Sequence, residues 1–198
     1  MWRFPEPTRA ICSGPLGGGL GDRQWIINAT VSRAYARKDP DRHVAELADG
    51  LGLRGPGAGL LTAVDVRAVE IANDGGVEVA ATVGLGHPTW AAAPDGDLRH
   101  GIGTINIVGW VPVPLTDAAL VNAVLTVTEA KVQALWEYGL AATGTASDAV
   151  VVACPAVGTP EPFGGPRSTW GARLARAVHQ AVLAGTAAWP PAWGHPFE

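Results

Sequence analysis

Between Gly103 and Pro155 the chain reads GTINIVGWVPVPLTDAALVNAVLTVTEAKVQALWEYGLAATGTASDAVVVACP, a strand, a helix and a second strand whose polar residues fall where a core belongs. At about 100° per residue, Leu120, Val121, Val124, Val127, Val132 and Leu135 define one apolar arc of the helix, and Thr128 and Lys131 point into its middle. An ammonium there is costly to bury without a hydrogen-bonded partner. Glu129 points well away around the helix, so the partner must come from another element. Asp148, at the mouth of the second strand, is the candidate.

The helix carries its own punctuation. Leu115 and Leu120 are spaced as a hydrophobic staple around Thr116 at the N-cap, Asp117 suits the positive end of the dipole, and Gly139 follows Tyr138 as C-cap. In the first strand, alternation puts Thr104, Asn106, Val108 and Trp110 on one face and Ile105, Ile107 and Val111 on the other. Thr143 to Asp148 form a compact polar turn that runs into the apolar strand Ala149 to Cys154. Purely structural readings stand beside the functional one. Thr128 can bond back to a helix carbonyl, Lys131 can run along the apolar face to water, and Thr145 and Asp148 can simply cap a turn. The conjunction of three unusual polar placements on adjacent elements favours a site.

With 198 residues and 47% hydrophobic content the chain can bury one substantial core. A net charge of -4 argues against a nucleic-acid partner, which calls for a basic stripe. No apolar run approaches the ~18 residues of a membrane span and the N-terminus has no apolar signal core, so a soluble, cytoplasmic protein is expected. Cys12 and Cys154 are too few and too far apart for a disulfide scaffold or a zinc cluster and read as buried thiols. The histidines at 43, 87, 100, 179 and 195 lack metal-ligand spacing, so no metal held by the protein is expected. His179 reads as a structural histidine at the edge of the last helix, whereas His87 and His100 sit in Gly- and Pro-rich loops from which a site is within reach. Eight tryptophans against two tyrosines and three phenylalanines are mostly core, but Trp90 and Trp110 stand near the polar strand and can wall a pocket for a flat ligand.

Along the chain, a strand over residues 10–13 opens into Gly14-Pro15-Leu16-Gly17-Gly18-Gly19-Leu20-Gly21, then an apolar run from Trp25 to Val31 is interrupted by Asn28. The glycines match neither phosphate-binding pattern; they permit close backbone approach to something bulky, or turn the chain. A helix from Asp39-Pro40 stops near Gly50. Strands follow over residues 59–65, 66–72 and 77–83, the last two joined by the hairpin turn Asn73-Asp74-Gly75-Gly76. The loop from Gly84 to Gly101 is long enough to suggest a lid or binding loop. Ser168 or Thr169 caps a final helix that ends near Gly185, and the Pro/Trp-rich tail, residues 186–198, is expected to pack on the body or on a neighbouring subunit. Strands in succession without intervening helices favour a mixed sheet. The expected fold is α+β: one domain over residues 1–198, with a mixed, largely antiparallel sheet and two long helices packed on it.

The runs GTINI, TEAK and TGTASDAVVVA, with IIN near the start, LLTAVDV in the middle and STWGARLARAV near the end, resemble the adenosylcobinamide amidohydrolase family of corrinoid salvage, from about Cys12 to Gly185. TEAK and the GTASD turn at their mutual spacing are the specific elements. His87 and Ser147 depart from the family pattern, which carries asparagine and threonine there. The resemblance implies hydrolysis of the amide between the corrin side chain and aminopropanol in adenosylcobinamide or its phosphate, giving adenosylcobyric acid for cobalamin biosynthesis, with cobalt belonging to the substrate and no cofactor held by the protein. On that reading Glu129 or Asp148 serves as base, Lys131 and Asn106 polarise the carbonyl, and Thr128 or Thr145 is nucleophile or orients water; Gly17, Gly18, Gly19, Asn28, His87 and Thr104 are the substrate-binding candidates. The alternatives are a non-catalytic corrinoid-binding or carrier protein and a self-processing amidase with Thr145 as nucleophile. The partner is a small-molecule corrinoid, without nucleic acid or membrane, and a homo-oligomer is compatible with the chain.

Overall fold

Alternating apolar residues and two good helix caps determine most of the architecture. The structure is a computed structural model that describes residues 1–95 and 102–189. Along the chain come β1 (Trp2–Cys12), β2 (Gly19–Thr30), α1 (Pro40–Gly50), β3 (Gly57–Thr62), β4 (Glu70–Asp74), β5 (Val77–Gly84), β6 (Pro88–Thr89), β7 (Thr104–Trp110), α2 (Asp117–Tyr138), β8 (Gly144–Thr145), β9 (Ala149–Pro155) and α3 (Thr169–Ala188). Seven strands form one mixed sheet in the order β3-β2-β1-β9-β7-β5-β4. The β2–β3 and β7–β9 pairs are parallel, and the other pairs in this sheet are antiparallel. The parallel β7–β9 pair requires a crossover, which α2 supplies. The expected α+β architecture with two long helices is what forms.

Strand alternation separates two faces. Ile105, Ile107 and Val152 face α2 and α3 with Leu120, Val127 and Leu174, while Val108, Val151, Ala10, Ile26 and Leu60 line the opposite face. That second face is concave. Asn106 on β7 hydrogen-bonds both to Asn28 on β2 and to the Leu61 carbonyl on β3, although β9 and β1 lie between them in the sheet. The sheet therefore curls until its ends approach. α1 covers the outer side of β2 and β3 through Val44 and Ala48 packed on Trp25 and Ile27.

α2 is capped as expected: Thr116 Oγ1 accepts from Ala119 N at 3.1 Å, and Gly139 closes the helix at φ 93°. Its buried face differs from the expected arc. Ala119, Ala123, Ala130 and Ala134 are buried beside Leu120, Val127, Lys131 and Leu135, while Val121 and Thr128 are exposed. Large side chains dominated the sequence pattern, but the face packed on α3 and the sheet selects small residues because close-packed interiors leave little room. Thr128 is thus not inside the core; its hydroxyl donates to Val124 O at 3.0 Å from the solvent side.

Three boundaries also move. Residues 66–68 form a 3-10 turn instead of a strand, because the Asp65 carboxylate accepts from Arg67 N at 3.0 Å and pulls the chain into a turn. β3 stops at Thr62, whose hydroxyl accepts from Val64 N. α3, capped by Ser168 Oγ, continues through Ala188 and absorbs the start of the expected tail. The β4–β5 hairpin has the predicted turn, with Gly75 and Gly76 at φ 55° and 94°, values that both central positions of a tight hairpin turn demand. The readings of His100, His195 and the tail beyond Trp189 fall outside the described residues.

Candidate active site

The carboxylate of Asp148 is the point on which the polar turn converges. Oδ2 accepts from Lys131 Nζ and, at 3.2 Å, from Thr145 N. Oδ1 accepts from Thr145 Oγ1 at 2.5 Å and from Ile105 N at 2.9 Å. The Lys131 and Asp148 side chains are 10% and 12% exposed, so the ion pair is largely withdrawn from water. The expected pairing is therefore present, with α2, β7 and the β8–β9 turn each contributing a donor. Gly144 passes so close that a Cβ on it would overlap both Asp148 Oδ2 and Lys131 Nζ; with φ at 154°, the position is suited to glycine.

Beside the pair, two hydroxyls share one carbonyl. Thr104 Oγ1 and Ser147 Oγ are 2.6 Å apart, and both lie within hydrogen-bonding distance of Gly103 O, at 2.8 and 2.9 Å. Ser147 is exposed, and both residues line a cavity of about 280 Å3 with Pro15, Tyr35 and Thr62. Sequence reading put Ser147 in the polar turn but not among the site candidates, because a turn serine next to Asp148 reads as a cap. β6, from the long loop after β5, pairs with β8 through Pro88 and Thr145, and Thr143 N donates to Thr89 O at 2.9 Å. His87, half-buried, immediately precedes this tether.

Deeper on the concave face, Asn106 Nδ2 donates to Asn28 Oδ1 and to Leu61 O, each at 2.9 Å, and Asn28 Nδ2 donates to Thr82 Oγ1 at 3.0 Å. Leu61 O can only accept, which fixes the orientation of Asn106. Both N–H groups of Asn106 are then engaged, and its buried Oδ1 has no partner among the described residues. A carbonyl oxygen of a substrate finds no free donor on this side chain.

Other candidates stand apart. Thr128 and Glu129 are exposed on the solvent side of α2. Gly17 belongs to a different cavity, of about 440 Å3, beneath α1, where its carbonyl accepts from Arg23 Nη2 at 2.6 Å. Gly18 lies in the same turn and Gly19 opens β2. Trp90 is 48% exposed, whereas Trp110 stacks on Phe4 at the far end of the concave face, with ring centroids 5.6 Å apart. His179 Nε2 lies 2.7 Å from Glu137 Oε2, joining α3 to α2. Both cysteines are free and buried, and burial pushes both thiols up. Among the described residues no three His, Cys, Asp or Glu side chains are grouped to hold a metal ion, and no helix is long and apolar enough to cross a membrane.

Residues 1–192 match the family model described as adenosylcobinamide amidohydrolase. A Methanosarcina mazei protein named adenosylcobinamide amidohydrolase is 31% identical over 185 residues, covering 89% of this chain and 88% of its own length. A Halobacterium salinarum protein of the same name is 36% identical over 186 residues, covering 89% of this chain and 79% of its own. An uncharacterized Methanocaldococcus jannaschii protein is 36% identical over 93 residues, 43% of this chain and 36% of its own length. No solved structure gives a significant match.

Proposed function

The chain belongs to the adenosylcobinamide amidohydrolase family, and from that premise we propose that it hydrolyses the amide between the corrin side chain and aminopropanol in adenosylcobinamide, yielding adenosylcobyric acid and the free amino alcohol. Cobalt enters as part of the substrate. The reading places this chemistry in the cytoplasm, as a step of corrinoid salvage.

The observation that carries the assignment of roles is the Thr145 hydroxyl, 2.5 Å from Asp148 Oδ1, while Lys131 holds the other carboxylate oxygen. A threonine hydroxyl is a weak nucleophile until an adjacent base takes its proton. Thr145 Oγ1 attacks the amide carbonyl as its proton passes to Asp148. The C–N bond then breaks, the departing nitrogen takes up that proton, and the acyl group is left as an ester on Thr145. Water cleaves the ester, releasing the carboxylic acid and restoring the hydroxyl. Lys131 keeps Asp148 in place and opposes the negative charge that develops nearby, in surroundings from which water is largely excluded. Ser147 and Thr104, at the edge of the adjoining cavity, orient the incoming amide.

Chromatography of adenosylcobinamide incubated with the protein tests both levels. Conversion to adenosylcobyric acid is expected, with Thr145→Ala slower by about a thousandfold or more and Thr145→Ser retaining measurable turnover. An untouched substrate with wild-type protein would remove the activity. Near-normal turnover by Thr145→Ala would remove only the nucleophile assignment.

A further inference from the structure

A cavity of about 500 Å3 on the concave face is not used by the chemistry above. Its walls include Trp2, Phe4 and Trp110, all half-buried, so their rings line the space without filling it. Phe4 reaches Trp110 because the β1–β2 ladder is interrupted between Arg3 and Thr8, where Pro5 and Pro7 have no N–H to give. Such irregularities re-aim side chains, and here the outcome is a pair of rings 5.6 Å apart and 18° from parallel. At the opposite end of the cavity stand Asn28 and Thr82.

Asn28 gives one N–H to Thr82 and one lone pair to Asn106, which leaves, among the described residues, one N–H and one lone pair of its amide without a partner. The remaining lone pair can accept from the N6 amino group of adenine, a donor that a carbonyl at that position does not supply. Aromatic rings supply the complementary stacking surface. Pockets of about 300–1,000 Å3 are typical for small ligands; this one takes a nucleoside but not a whole corrinoid. Thr104 and Asn106 are two residues apart on β7, about 7 Å, so the polar end of the cavity begins within a corrinoid's span of the Asp148 turn.

We propose that this cavity is an adenine subsite, in which Trp110, Phe4 and Trp2 stack on the base of the substrate's adenosyl group and Asn28 reads its edge. The assignment rests on the amidohydrolase reading for the identity of the larger molecule, but its binding chemistry is independent of turnover. Titrating the intact protein with adenosine and with inosine, by calorimetry and as inhibitors of adenosylcobinamide hydrolysis, tests it. Adenosine is expected to bind and to compete with substrate, and inosine, which has an acceptor where adenine has the amino donor, to bind about tenfold more weakly. Trp110→Leu and Phe4→Leu are each expected to weaken adenosine by about tenfold and to raise KM for adenosylcobinamide more than KM for cobinamide carrying cyanide in place of the adenosyl group. If one variant fails to fold, the other carries the comparison. Equal binding of adenosine and inosine, no binding of adenosine, or equal KM changes for the two corrinoids would overturn the subsite. Corrinoid turnover without adenosine binding would sink the subsite and spare the activity; adenosine binding without turnover would do the reverse.

Discussion

Asp148 accepts from Lys131 Nζ, Thr145 N, Thr145 Oγ1 and Ile105 N, and this asymmetry ranks the two halves of the ion pair. Lys131→Met leaves the carboxylate with three donors, so a loss of about 1–3 kcal/mol is expected. Asp148→Ala strands the buried ammonium together with two backbone N–H groups, and a larger loss, about 3–5 kcal/mol, is expected. Urea denaturation of the two variants checks the order; an equal or reversed ranking would mean that the ammonium, not the carboxylate, organises the turn. The pairing itself was legible in the sequence, since an ammonium on an apolar helix face needs a partner. The bonds from Ile105 N and Thr145 N were not, because every residue except proline has an N–H and sequence does not say where it points. Asn106 was legible as an anomaly, yet its donors are directed into the fold by a carbonyl on β3 that carries no side-chain signature.

Elements were read best where punctuation is local. Thr116, Gly139, Ser168 and the Gly75-Gly76 turn act on their own neighbours, and each is found where expected. The face of α2 was read poorly, because small residues at a close helix contact look neutral in a hydrophobic pattern. One tertiary tie between elements yields a pH prediction. Arg176 on α3 clasps Asp74, at the end of β4, through Nε at 2.6 Å and Nη2 at 3.0 Å, and this hydrogen-bonded guanidinium holds the Asp74 carboxyl below the usual carboxylate range. A carboxyl whose folded pKa is depressed stabilises the fold above its unfolded pKa and loses that contribution as pH falls through the folded value. The pair is partly exposed, at 59% and 28%, so solvent screening keeps its contribution small. Asp74→Asn is therefore expected to be slightly less stable than wild type at about pH 7, with the difference shrinking from about pH 5 toward pH 2. Chemical denaturation across that range measures it, and a difference that grows with acid would contradict the sign.

At the scale of the whole molecule, Asn106 ties β7 to β2 and β3 across the concave face. Replacing it with leucine is expected to cost about 2–4 kcal/mol, because Leu61 O and Asn28 Oδ1 each lose a buried donor. Thermal melting checks this, and a variant as stable as wild type would show that the curl is held by the apolar face alone. β9 has a different consequence, one that concerns birth and not the finished protein. It is central in the sheet, between β1 and β7, yet it is the last strand among the described residues. On the ribosome, β1 emerges before β9, and its edge facing β9 must wait for a partner more than a hundred residues downstream, roughly ten seconds at ordinary elongation rates. Throughout that interval the edge of β1 presents an open row of backbone groups to anything that can pair with it, an exposure that ends when β9 takes its place between β1 and β7.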